Sequence, residues 1–273
     1  MYASNDWPAL PPLSALVNRV HNVDCFELLA ALPDKSVDAY ITDLPYGTTA
    51  CSWDEIIPFA PMWTEVKRTL KPRGVFVTTA SQPFTSKLVM SNVSMFKYSW
   101  VWVKNRITGF ANAPKQPLRR FEDVLVFGGS AYYPQGLKRI NAVRKNGSSA
   151  GGSSLRGTLN GEANKGNLRT TGSTYVQEFT GYPDNVLVID CETETEHGTQ
   201  KPINLFEYLI KTYTMPDELV VDFCAGSGTT ALAARNTGRR FIIGEQETVN
   251  ADIAVKRLAQ PYAVDMFSAL ATA

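Results

Sequence analysis

The sequence predicts an α/β protein built on a mainly parallel, doubly wound sheet, with a glycine- and serine-rich insertion in its second half. Three observations predict it. Short apolar runs alternate with segments of helical period, the pattern of strand-helix-strand units covered on both faces. Two of the runs, VDAYIT and LVVDF, lead straight into turn-prone segments, DLPYG and CAGSG. Between 141 and 175 the large aliphatic residues almost vanish.

The elements follow in order. Residues 37–42 (VDAYIT) read as a short buried strand that delivers Asp43 to its carboxyl end. IIPFAPMWTEVKRTL then carries apolar residues at helical spacing, KPRG makes a turn, and VFVTTA is a second strand. Further strands are expected at 98–103 (YSWVWV) and 123–127 (DVLVF), the latter preceded by the basic QPLRRFE. The stretch from 141 to 175 cannot bury enough apolar surface to offset its ordering entropy, so a loop or small appended region is expected. It carries Arg144, Lys145, Arg156, Lys165 and Arg169 against Glu162. The pattern resumes with a helix at 203–213, a strand at 219–223, a helix at 229–237 that Gly238 stops, a strand at 240–244 and a helix at 248–259. One domain formed by 1–130 and 186–273, carrying an insertion over 131–185, is the expected organisation.

A net charge of +1 gives no global attraction to polyanions, so a nucleic-acid surface must come from local clusters of Lys and Arg. The four cysteines, Cys25, Cys51, Cys191 and Cys224, form no CxxC pair, and His21 and His197 are the histidines that remain to complete a metal site. No metal is expected, and reduced thiols in a cytoplasmic protein fit this usage. The N-terminal MYASNDWPALPPLSAL lacks the basic and apolar regions of a leader, and no apolar run is long enough to span a bilayer.

In the segment from Val220 to Thr230, an apolar strand meets a small-residue turn and a helix start. Gly226 and Gly228 allow a ligand close to the backbone, and the helix start offers unpaired N–H groups. A mononucleotide phosphate loop needs a Lys before its Ser or Thr, and Gly228 is followed by Thr229 and Thr230. A dinucleotide turn with an acid about twenty residues on is matched loosely by Gly226, Gly228, Ala231 and Glu245, although such units usually come first in a chain. S-adenosylmethionine binding uses the same geometry without a pyrophosphate, with Glu245 at the ribose hydroxyls. Taken alone, Glu245 also reads as an exposed acid at a helix start.

The DLPY turn suits an exocyclic amine. The lone pair of an aromatic amino group is delocalised into its ring, so a site must hold the amine hydrogens with two acceptors to make the nitrogen nucleophilic. Asp43 supplies a carboxylate and Leu44 a main-chain carbonyl, each hydrogen bond worth roughly 1.5–3 kcal/mol in a dry site. Pro45 holds Leu44 extended. Tyr46 offers a face for a base taken out of the stack, worth about 1–3 kcal/mol. An ordinary strand-ending turn would carry the same Asp, Pro and Gly on propensity alone.

Together these segments resemble the permuted, or β-group, amino-methyltransferases of DNA, in which a DPPY-type motif precedes the cofactor loop. NVDCFELLAALPDKSVDAYITDLPYG is similar to the family's approach to its catalytic turn. WVKNRITGFANAPKQPLRRFEDVLVF resembles the segment bordering target base and DNA, and HGTQKPINLFEYLI resembles the family's HPTQKP helix start. The resemblance covers about 20–130 and 182–260 and implies a seven-stranded Rossmann-like sheet with one antiparallel strand. It implies S-adenosylmethionine as cofactor, held by Asp24, Cys25, Asp43, Thr199, Gln200, Lys201, Asp222, Phe223, Ala225, Gly226, Ser227, Gly228, Thr229 and Glu245. It implies catalysis by Asp43, Leu44, Pro45 and Tyr46, with Lys104, Arg119, Arg120, Arg144 and Lys145 as DNA contacts and 131–185 as the target-recognition region. Leu44 stands where the family more often has Pro, and Gly198 replaces a Pro beside Thr199.

The expected reaction is methylation of adenine N6 in double-stranded DNA. Asp43, where cytosine-N4 enzymes more often have Ser, favours adenine over cytosine, and the motif order disfavours RNA and protein amides. A silent DNA-binding protein on the same fold would not need Asp43 and Tyr46. No cysteine stands in the Pro-Cys context of a ring-carbon methylase. A homodimer and a cognate restriction endonuclease are the partners the family brings with it.

Overall fold

The computed structural model describes residues 12–49, 51, 54–145, 174–193 and 200–260. In chain order these form α1 (Leu13–Leu16), β1 (Arg19–Asn22), α2 (Cys25–Ala31), β2 (Val37–Thr42), α3 (Phe59–Thr69), β3 (Leu70–Ala80), α4 (Phe84–Ser91), β4 (Phe96–Thr108) and β5 (Arg119–Gly128). Next come β6 (Lys138–Lys145), β7 (Thr174–Thr180), β8 (Val186–Val188), α5 (Ile203–Tyr213), β9 (Leu219–Asp222), α6 (Thr229–Asn236), β10 (Arg240–Glu245) and α7 (Thr248–Ala259).

The chain divides into two compact units, Met1–Tyr133 with Asn185–Ala273, and Pro134–Asp184. In the larger unit the strands run in the order β1-β10-β9-β2-β3-β5-β4-β8. Neighbours are parallel except at β5, which runs against both β3 and β4. The sheet therefore has its one antiparallel strand, but eight strands where seven were expected. The addition is β8, paired through Val186, Leu187 and Val188 to β4. Three residues are too few to show a period in the sequence.

Each layer follows from side-chain alternation. All six residues of β2 are buried, as a central parallel strand requires. Ala39 and Ile41 pack on the face covered by α5, α6 and α7, with Phe206, Ile210, Ala231 and Ala254. Tyr40 packs on the opposite face with Leu28, Trp63 and Leu88 from α2, α3 and α4. Val37 packs on the Tyr40 face as well, at the edge of the strand where the pairing with β3 is irregular. Burying a large apolar side chain of this kind contributes roughly 1.5–3 kcal/mol.

The helices start where the sequence lets them. Asp24 caps α2, its Oδ1 accepting from Phe26 N at 2.8 Å. α5 follows Pro202, which has no side-chain acceptor, and a carboxylate from elsewhere fills the place: Glu192 Oε1 accepts from Ile203 N at 2.9 Å.

Topology decides where a site can form. From β2 the chain passes through α3 to β3 on one side, and from β9 through α6 to β10 on the other. β2 and β9 are neighbours, so the crossovers diverge and leave a crevice at their carboxyl ends.

The smaller unit holds β6 and β7, an antiparallel pair in which Lys138 faces Thr180 and Lys145 faces Thr174. The expected loop over 141–175 is thus strand at both ends, where Val143 and Val176 pair. Residues 146–173, with Arg156, Lys165 and Arg169, lie outside the described residues. At the other boundary, Ala131 N donates to Arg73 O and Tyr133 N to Thr212 O, which ties the start of the expected 131–185 segment into the larger unit.

Candidate active site

A cavity of about 320 Å³ opens above the ends of β2, β9 and β10. One part of its wall is Asp24, Cys25 and Phe26 from the start of α2, with Glu245, Gln246 and Asn250. Another is Asp43, Leu44, Pro45, Tyr46 and Lys201. Phe223, Ala225, Gly226, Ser227 and Thr229 line it between strand and helix. Its size is that of a small-molecule site.

The glycine turn is held from several sides. Gly226 has φ +49°, and a Cβ added there would meet no atom within 4 Å. Its N–H donates to Glu245 Oε2 at 2.7 Å, while Oε1 of the same carboxylate accepts from Glu247 N at 2.9 Å. Glu245 is only 8% exposed, which excludes the reading as a solvated helix-start acid. Arg257 reaches from α7 to Ser227 O at 2.7 Å and Ser227 Oγ at 3.0 Å. Ser227 Oγ donates to Gln200 Oε1 at 3.2 Å, and Thr229 Oγ1 donates to Lys201 O at 3.3 Å. Gly228 does not line the cavity. A Cβ there would stand 2.7 Å from Ala254 Cβ, so this glycine serves packing against α7 and not ligand approach.

These residues fit an adenosyl cofactor. The open face at Gly226 leaves the backbone approachable, and a carboxylate oriented by two main-chain N–H groups is placed for vicinal hydroxyls.

Asp222 has another part. At 2% exposure its Oδ1 accepts from Thr42 Oγ1 at 2.7 Å and Cys224 N at 3.0 Å, and its Oδ2 from Thr230 Oγ1. It joins the ends of β2 and β9 to α6, and it also lines the cavity floor beside Phe223, so it braces the expected cofactor site from within. Burial pushes its carboxyl up to about 6 against the pull of these three donors, and the Asp43 charge adds to the rise. The folded chain therefore binds this proton more tightly than the unfolded chain, whose value is near 3.8. Stability from this group is fully present below that value and is lost as pH rises through about 6, up to about 3 kcal/mol over the titration. Asp222→Asn is expected to flatten the dependence between about pH 4 and 6 in urea unfolding; an unchanged slope would refute the assignment.

Asp43 sits at the centre of a half-buried charge network. Its Oδ1 accepts from Thr79 Oγ1 and from Tyr46 OH, the latter at 2.9 Å, and its Oδ2 accepts from Lys201 Nζ at 2.7 Å. Glu122 on β5 accepts from Lys104 Nζ at 2.7 Å through Oε1, and from Tyr46 OH at 3.4 Å through Oε2. Burial alone would raise the Glu122 carboxyl, but Lys201 and Lys104 outweigh it and hold it below the usual range. Burial would likewise lower the Lys201 ammonium, and Asp43 and Glu122 raise it above an ordinary lysine. The Tyr46 hydroxyl is pushed well up, by burial first and then by the Asp43 and Glu122 charges. Phe84 stacks against the Tyr46 ring with centroids 5.2 Å apart, so one ring face is already covered.

The turn is braced from below and behind. Leu44, where the family more often has Pro, is 3% exposed and packs into the core with Phe76 and Phe84. Asp54 accepts from Gly47 N at 2.8 Å, Thr48 N at 2.9 Å and Thr49 N at 2.7 Å, closing the loop that follows. Burial would raise its carboxyl, but the Thr49 hydroxyl and then these N–H groups outweigh it and hold the group below the usual value.

Of the expected residues, Asp24, Cys25, Asp43 to Tyr46, Gln200, Lys201, Asp222, Phe223, Ala225 to Ser227, Thr229 and Glu245 meet around one cavity. Thr199, with Gly198, lies outside the described residues. Lys201 stands on Asp43 and beside Tyr46, not only near the glycine turn. Lys104, expected to meet DNA, is 8% exposed and paired with Glu122, so it serves the interior. Arg119, Arg120 and Arg144 are exposed, and the Lys145 side chain lies outside the described residues. Thr79, Glu122, Asp54 and Glu192 were not anticipated. Burial pushes the Cys25 thiol up to about 12 and Cys224 higher still, the opposite of what a nucleophilic thiolate needs.

A Rossmann-like sheet with a glycine turn, an acid-ended strand and an Asp-Leu-Pro-Tyr turn sharing one cavity defines a group-transfer protein with a nucleoside-type cofactor. The chain belongs to the N6/N4 DNA methylase family, whose model matches residues 37–256, and is an S-adenosylmethionine-dependent DNA methyltransferase. It is 27% identical over 237 residues to the type II methyltransferase M1.MboII of Moraxella bovis, covering 83% of this chain and 90% of that one. It is 27% identical over 259 residues to M.BglII of Bacillus subtilis, covering 89% and 69%. In fold it is similar to M1.HpyAVI in its SAM complex, at TM-score 0.56, 24% identity, and coverage of 88% and 98%. It is also similar to the cytosine-N4-specific PvuII DNA methyltransferase, at TM-score 0.61, 17% identity, and coverage of 89% and 86%. Among the described residues no helix is long and apolar enough to cross a membrane.

Proposed function

We propose that the chain methylates N6 of adenine within a specific sequence of double-stranded DNA. The observation that carries this reading is the Asp43 carboxylate at the cavity wall, bonded at 2.9 Å to the hydroxyl of Tyr46 from the same turn. An Asp at this position is what adenine enzymes of the resembled group carry. S-adenosylmethionine supplies a methyl group on an electrophilic sulfonium. The chain's own residues prepare the amine. Asp43 and the Leu44 carbonyl accept its two hydrogens and turn the nitrogen lone pair outward. Tyr46, backed by Phe84, gives the flipped base its resting face. The amine proton leaves late, to Asp43, because the methylated ammonium is strongly acidic.

Arg119 and Arg120, exposed at the start of β5, hold DNA phosphates in this reading. The unit Pro134–Asp184, with Arg144 and Lys145, reads the target sequence. A homodimer, a cognate restriction endonuclease and a cytoplasmic location belong to the same proposal. Replacing both arginines by alanine is expected to lower the slope of log K against log salt by about 2 while leaving the modified base unchanged. An unaltered slope in a fluorescence-anisotropy titration removes them from the phosphate contacts.

The reaction is tested with labelled S-adenosylmethionine and unmethylated DNA, digested to nucleosides for mass spectrometry. N6-methyladenine is expected. Label in N4-methylcytosine alone overturns the base, and label in RNA but not DNA overturns the substrate.

A further inference from the structure

One ammonium occupies what the target amine needs. Lys201 Nζ donates to Asp43 Oδ2 at 2.7 Å and lies 5.5 Å from the centroid of the Tyr46 ring. A base lying along Tyr46 with its amine on Asp43 requires the same oxygen and the same space. Oδ1 offers no substitute, since it already accepts from Thr79 Oγ1 and Tyr46 OH. Lys201 must therefore leave Asp43, and a buried ammonium cannot be left without a counter-charge.

A second carboxylate stands within reach. Glu122 Oε2 is 3.6 Å from Lys201 Nζ, so a shift of about 1 Å brings the pair to hydrogen-bond distance. Glu122 is itself anchored, because Lys104 Nζ holds its Oε1 at 2.7 Å from the adjacent strand β4. The carboxylate is thus fixed at one oxygen and turned toward Lys201 and Tyr46 with the other.

We infer that Glu122 is a positioning residue for methyl transfer: it draws Lys201 off Asp43 as the target base enters, freeing Asp43 Oδ2 for the amine. No proton changes hands in this exchange. Lys201 keeps Asp43 paired while no base is present, and Lys104 keeps Glu122 from following Lys201 back. The inference rests on the reading of Asp43 as the acceptor of the target amine, and holds for adenine or cytosine alike.

The test compares steady-state methylation of unmethylated plasmid DNA by wild type, Glu122→Gln, Glu122→Asp, Lys201→Met and the double variant E122Q/K201M. Melting curves and calorimetric S-adenosylmethionine binding accompany them. E122Q is expected to lower kcat by about 30-fold or more, with cofactor Kd within about threefold and part of the rate recovered in E122D. Adding K201M to E122Q is expected to cost no further rate, because the two act as one unit. A kcat for folded E122Q within about threefold of wild type overturns the hand-over, and so do losses that multiply in the double variant. If E122Q does not fold, the charge-balanced K104M/E122Q protein takes its place with the same expectations. Failure of the underlying reading looks different: D43A would keep its transfer rate, whatever E122Q does.

Discussion

Asp43→Ala is expected to reduce methyl transfer by about 10³-fold, near 4 kcal/mol of transition-state stabilisation, while cofactor affinity falls by no more than about tenfold. The size follows from what the carboxylate does. It supplies a charged acceptor where positive charge develops on the amine, in a site that excludes water, and loss of one such group typically costs about 10²–10³. Lys201 raises the figure, because its ammonium is left with Glu122 alone and can settle where the amine should lie. Asp43→Asn should be no better: it keeps the shape, but presents either an amide N–H to Lys201 or only one acceptor to its present donors. Single-turnover transfer and calorimetric binding separate the two effects. A D43A rate within about tenfold of wild type would remove Asp43 from the chemistry.

What could be read in the sequence was whatever is local. VDAYIT followed by DLPYG, and LVVDF followed by CAGSG, each place strand, turn and functional residue within a few positions, so periodicity and turn propensity suffice. Their meeting in space was also legible, since alternating strands and helices leave few topologies. What stayed hidden depends on pairing between distant strands. Thr79 reaches Asp43 because β3 lies beside β2, and Glu122 meets Lys104 because β5 folds back on β4 with Trp102 opposite Glu122. One signal was available: Glu122 and Lys104 flank DVLVF and YSWVWV, the charged ends of strands otherwise apolar, and a charge carried into a sheet needs a partner. Lys104 reads as a DNA contact in the sequence because sequence gives charge but not the side of the sheet it faces. Gly226 and Gly228 show the same limit. The motif identifies both as glycine, and only the fold distinguishes the reason for each.

That distinction carries a sharp expectation. At Gly228 the backbone has φ +80°, and a Cβ would lie 2.7 Å from Ala254 Cβ and 3.1 Å from Ala254 Cα. Neither is the end of a flexible side chain, so α7 must move from the sheet, taking with it the Arg257 bonds that hold Ser227. Left-handed strain and overpacking together make Gly228→Ala cost roughly 2–4 kcal/mol, a fall in Tm of roughly 5–15 °C. At Gly226 the φ of +49° also disfavours a side chain, but nothing stands within 4 Å of the added methyl. Gly226→Ala is therefore expected to cost about 1–2 kcal/mol of stability, from the left-handed strain alone. Its methyl enters the cavity where the cofactor must approach the backbone, so S-adenosylmethionine affinity is expected to fall by about tenfold or more. Thermal unfolding of the apo proteins and calorimetric titration of each distinguish the two. Equal melting temperatures would show that Gly228 is not the packing position, and wild-type affinity in G226A would show that the cofactor lies elsewhere in the cavity.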